Sequence, residues 1–188
     1  MININNSIND RKREYLNRSA DAQVNFTDIS TRLVKAYVKM ELGEKPEMDD
    51  ISCVFPKIYY HLDCSDFEIN FLLAILYRNR DKNLLTKEIE MEAKELILTH
   101  AYWLSEKCKF FGKQNMWTEN HIMMYHTDAY LAGQLFPDDI FEDSGKKGYE
   151  LMKEVEPKIF DWIRIKGLVG FSEWDSNNYV HINLRSLL

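Results

Sequence analysis

The side chains best suited to chemistry are the five consecutive residues Trp117-Thr118-Glu119-Asn120-His121, which open a long apolar segment. An imidazole moves protons near neutrality, and beside it stand a carboxylate and an amide. If the run starts a helix, Thr118 caps it and Glu119 offsets the positive end of the helix dipole. Asn120 and His121 then sit on a first turn with a rigid helix behind them. A second polar stretch, Gly170 to Tyr179, carries Glu173, Trp174, Asp175 and Tyr179 just before another helix. Two polar helix entrances at one end of a bundle make a shared cleft. The plainer reading is a well-made helix start, with Trp117 packing as a staple, and a polar turn between helices.

Other chemistries find less support. His121 and His126 are five apart, which does not place them on one helix face as ligand spacing requires. His126 falls on the stripe of Ile122 and Ala129 and reads as a core histidine. No metal site and no cofactor is expected. Gly145-Lys146-Lys147-Gly148 lacks the spacing of a phosphate-binding loop, and no serine sits in a nucleophile-elbow context. Cys53, Cys64 and Cys108 form no paired motif.

The elements that would position these residues are helical. Ile29, Leu33, Tyr37 and Met40 share one stripe, capped by Thr27 or Asp28 and stopped by Gly43 and Pro46. Val54 to Tyr60 reads as locally extended around Pro56, although a helix could begin there. Ser65-Asp66-Phe67-Glu68 has the form of a capping box and opens a helix ending near Asn79. Leu85-Thr86 opens the next, with a stripe reaching His100 and Leu104. The short polar link between the two predicts an antiparallel pair.

Residues 105–117 read as a basic, aromatic loop. The helix from Thr118 to about Gln134 is apolar almost all round and should be buried on several sides. Its Ala129, Ala132 and Gly133 allow a neighbouring backbone to approach. A further helix spans about 145–166, with Pro157 inside it. Residues 1–25 form a loosely ordered or conditionally helical arm, and residues 26–188 a helical hairpin domain. The apolar stripe of Leu184, Leu187 and Leu188 has no stop signal, which suggests truncation from a longer protein.

The 188 residues carry 30 acidic and 24 basic side chains, a net charge of −6 that disfavours nucleic acid as a partner. The 13% aromatic content suits sugar-binding clefts, but a packed helical core uses aromatics more often. No apolar run has the length of a membrane span and no signal-peptide core is present, so a cytoplasmic protein without a membrane partner is expected.

Helical hairpins, the Asn120-His121 pair at a helix start and the downstream loop residue Tyr179 resemble the (α/α) toroid polysaccharide lyases of the heparinase and alginate-lyase kind. The resemblance covers mainly residues 117–179. It implies an all-α array of antiparallel helical hairpins forming part of an (α/α) toroid, acting on an oligosaccharide or polysaccharide. In such β-elimination Asn120 would hydrogen-bond the uronate carboxylate, His121 or Tyr179 would remove the α-proton, and Tyr179 would protonate the leaving oxygen. Trp117, Glu119, Glu173, Trp174 and Asp175 would contact the sugar. Two alternatives remain: a glycoside hydrolase pairing Glu119 with Glu173 or Asp175, and a non-enzymatic helical scaffold.

Overall fold

A computed structural model describes residues 7–25, 27–103, 117–172, 176 and 179–187. Its helices are α1 (Ile8–Ala20), α2 (Ile29–Leu42), α3 (Met48–Ser52), α4 (Phe55–Tyr59), α5 (Ser65–Lys82), α6 (Lys87–Thr99), α7 (Glu119–Leu135), α8 (Gly148–Val169) and α9 (Val180–Arg185). The one sheet among the described residues is an antiparallel pair, β1 (Ile140–Phe141) with β2 (Lys146–Lys147). The fold is therefore all-α, and no described helix is long and apolar enough to cross a membrane.

Local signals set most boundaries. Asp28 accepts from the Thr31 amide to start α2, and Gly43 ends it in the left-handed region at φ +82°. Within the expected loose arm, Ser7 and Asp10 form a capping box for α1, yet Ala20 is its one buried residue. The segment expected to be extended is the helix α4, because Pro56 sits in its first turn where no amide is needed. Asn79 lies inside α5, and its Oδ1 accepts from Leu84 N and Leu85 N at 2.8 and 2.9 Å to close the turn into α6. α6 stops at His100.

Side-chain bonds show how the helices run. Ser30 meets Glu68 near the starts of α2 and α5, and Lys82 Nζ donates to Met40 O at 2.8 Å near their ends. Those two helices are parallel. Asp66 meets His121 near the starts of α5 and α7, while Tyr77 Oη donates to Leu131 O at 2.9 Å and Arg80 reaches Leu135 O near their ends. These two are parallel as well. Along α7, α8 runs back: Lys166 bonds Glu119 at one end and Gly148 meets Gly133 at the other. The architecture is a parallel row, α2-α5-α7, with α8 returning beside it.

The core lies within this row and under α6. Leu33, Met40, Ile69, Leu72, Leu73, Ile75 and Ile97 are fully buried. Each contributes about 1.5–3 kcal/mol relative to exposure, more than any surface ion pair in the chain. α7 and α8 pack closely at their glycines. A Cβ on Gly133 would stand 2.5 Å from Gly148 O, and one on Gly148 would lie closer still to Phe136 O. Alanine at either position should therefore destabilise the chain by about 1–3 kcal/mol. Gly167, in the same helix with nothing within 4 Å of a Cβ, should instead gain about 0.5–1 kcal/mol as alanine. Urea unfolding midpoints check both signs.

Candidate functional site

Where α5 and α7 begin, a polar cluster is buried between the two helices. Asp66 is fully buried, and its Oδ2 lies 2.5 Å from His121 Nδ1. Phe67 stacks on the imidazole at 5.0 Å with an interplanar angle of 2°. The ring is thus held by a bond at its edge and an aromatic on its face. One helical turn along, Asn70 Nδ2 donates to Asp128 Oδ1 at 2.7 Å. On the far side of α5, Glu68 accepts from Ser30 Oγ at 2.5 Å and lies 2.8 Å from Lys57 Nζ.

The electrostatics single out His121. Burial works to lower its pKa, but the Asp66 carboxylate and the Cys64 thiol beside it outweigh burial and push it up to about 9. Burial raises the Asp66 carboxyl, against the stabilising pull of His121. At neutral pH the pair shares one proton held toward the imidazole. Nδ1 is engaged by Asp66, and the Cys64 side chain also bonds the imidazole.

Cys64 is free, half-buried and the N-cap of α5, in the left-handed region at φ +63°. His61, three residues earlier, is also left-handed at φ +47°. Two non-glycine residues in that region within four positions mark stored backbone strain. Neither Cys64 nor Asp66 stood out in the sequence, because Ser65 to Glu68 reads as a capping box. Cys64 is the cap instead, and Glu68 turns to Ser30 and Lys57. The only signal was a carboxylate in the first turn of a helix destined for burial.

The residues singled out by sequence separate into groups. Thr118 is the N-cap of α7, but its hydroxyl donates to Asn120 Oδ1 at 2.8 Å rather than capping a backbone amide. Asn120 is 1% exposed and its Nδ2 has no partner, leaving a donor beside His121. Glu119 is bound by Lys166 and accepts from the Ser172 amide at 3.1 Å. That second bond brings the start of the 170–179 loop to the start of α7. Trp117 is 68% exposed and meets Trp103 edge-on at 5.9 Å. Tyr179 begins α9, which lies on α7 through Ser186 and Met124. Glu173, Trp174 and Asp175 lie outside the described residues, as does the basic, aromatic stretch 104–116 with Cys108.

His126 is buried, as its place in the sequence suggested, and Trp103 packs over it at 5.0 Å. Burial lowers its pKa to about 4. Arg185 spreads over the Phe71 ring at 4.4 Å, and its Nε and Nη2 have no hydrogen-bond partner. No three His, Cys, Asp or Glu side chains gather as a metal site among the described residues.

Linkage gives the dyad a pH signature. His121 has its folded pKa raised, so its contribution to stability is complete below about 6.5 and is lost as pH rises to about 9. Asp66→Asn should abolish that slope, and Asp66→Ala should cost about 3–5 kcal/mol by leaving a buried partner unpaired. Unfolding free energies at several pH values between 6 and 10, wild type against each variant, check this.

No protein-family model, curated protein or solved structure matches this chain.

Proposed function

We propose that the chain carries a histidine-centred acid–base site of a carbohydrate-active, polysaccharide-lyase-like domain, with His121 as the proton-transferring group. The observation that carries this reading is the 2.5 Å bond between His121 Nδ1 and Asp66 Oδ2, which orients the ring. Asn120, with its unpaired Nδ2, supplies the donor that makes a uronate α-proton acidic. Arg185, also with unpaired donors, supplies the charge an acidic polymer needs. Tyr179, 39% exposed, is the proton donor to the leaving oxygen. The parallel row of α2, α5 and α7 fits the inner layer of an (α/α) toroid. Access to a ring that is 6% exposed requires a local opening.

A second reading is favoured by one observation, the Cys64 thiol at the start of α5 against His121. Thiol, imidazole and carboxylate are the parts of a nucleophilic relay. In that chemistry His121, in the neutral form it reaches above about pH 9, takes the thiol proton as Cys64 Sγ adds to an acyl carbon, passes that proton to the leaving group, and water releases the acyl group.

Both readings are tested with the whole chain. Uronate polymers are followed by ultraviolet absorbance of the unsaturated product, and an activated acyl ester by release of its alcohol. The lyase reading expects elimination that rises with pH to a plateau above about 9, where His121 is neutral. His121→Ala should reduce it by about 10²–10⁴-fold, and Asp66→Asn should move the rising limb to lower pH. Cys64→Ala should leave elimination intact and abolish acyl transfer. Elimination that survives His121→Ala, or none on any uronate polymer, refutes the lyase assignment.

A further inference from the structure

A cavity of about 240 Å³ lies on the other side of α7 from the α5 seam, between the residues following α6, the β1–β2 hairpin and the first half of α8. Its volume corresponds to roughly eight water molecules, the scale of a single sugar ring and not of a longer chain. His100 and His126 both line it. His100 is 1% exposed, and neither of its ring nitrogens has a hydrogen-bond partner. Burial, with His61 stacked at 5.1 Å, lowers its pKa to about 3. His126 is also held neutral by burial. A neutral imidazole offers one donor and one acceptor, and leaving both unused in the interior is unfavourable. A hydroxyl, itself donor and acceptor, complements it.

The walls and rim narrow the class of ligand. Trp103 and Phe141 supply aromatic surface, and the C–H face of a pyranose packs on such rings. Lys146 and Lys158 stand at the rim, but both are bound to Glu154, and Asp143 lies near them. Those four charges balance, so nothing selects a phosphate or another strongly charged group. An amphipathic polyol satisfies the aromatic wall and the unpaired imidazole together, whereas an apolar ligand would leave His100 unpaired.

The cavity is also connected to the dyad. His100 stacks toward Tyr125 at 6.3 Å, and His121 lies 6.4 Å from the same ring. Trp103 in turn reaches the exposed Trp117. We propose that this cavity is a binding subsite for one pyranose ring, packed on Trp103 and Phe141 and hydrogen-bonded through its hydroxyls to His100 and His126. The inference shares its substrate class with the lyase reading and rests on it for that alone.

The test titrates the whole chain with a neutral methyl hexopyranoside and, separately, with glucuronate. Imidazole proton resonances and calorimetry are the readouts. Saturable binding that shifts His100 and His126 is expected, about tenfold weaker in Trp103→Ala and in His126→Ala. Binding of both sugars, or of either one alone, supports the subsite and defines which class it takes. No saturable shift with either sugar overturns it, and so does binding that both variants leave unchanged. His121→Ala should bind the monosaccharide like wild type. Binding without elimination would uphold the subsite while removing the lyase reading, and elimination without binding here would do the reverse.

Discussion

The bond between Asp66 and His121 is the constraint around which the domain is arranged. It joins residues 55 positions apart in the chain and places the start of α5 level with the start of α7. Burying a carboxylate and an imidazole costs several kcal/mol per ion before their attraction is counted. Apolar residues of similar size would therefore hold these helices together at least as well. What apolar residues would not do is choose one alignment. Asp66–His121, then Asn70–Asp128, then Tyr77–Leu131 act as successive pins along a parallel pair that greasy surfaces alone would let slide.

The polar residues of α5 show how one helix is pinned on two sides. Asp66 and Asn70 are four apart and share the face toward α7, whereas Glu68 lies nearly opposite and faces α2. A helix flanked by two parallel neighbours must be apolar on both flanks, with polar positions at its start where the pins engage. That arrangement explains why α5 carries four buried polar side chains, Ser65, Asp66, Glu68 and Asn70, in its first six residues, yet Leu72, Leu73, Ile75 and Leu76 farther along are core. It also ties the site to the fold, because the residues that fix helix alignment are those that orient the imidazole.

Much of this was legible in the sequence, for identifiable reasons. Helical stripes and caps are local signals, so α2, α6, α7 and α8 and the close approach at Gly133 could be read from spacing. Pro56 permitted two local readings, and burial of Phe55 and Ile58 favours the helix. Asn120 and His121 stood out by their types and place, but the partner of His121 did not. A bond between residues 66 and 121 leaves no periodic trace, and the Ser-Asp-Phe-Glu pattern invites a local explanation that the tertiary contacts displace. The same holds for Thr118, whose hydroxyl serves Asn120 instead of the backbone.

The histidines show most directly how environment assigns chemistry. His100 and His126 are lowered to about 3 and about 4, because burial penalises their charged forms and no carboxylate is bound to them. His121 meets the same penalty, but Asp66 and Cys64 reverse it and hold the ring protonated up to about pH 9. Three imidazoles around α7 are thereby split into two kinds at neutral pH. One carries an exchangeable proton on a fixed ring, and the other two are uncharged hydrogen-bonding groups beside a cavity. Groups of one residue type thus differ in charge because their surroundings differ. Here the division follows from a single difference: α5 brings a carboxylate to His121 and to neither of the others.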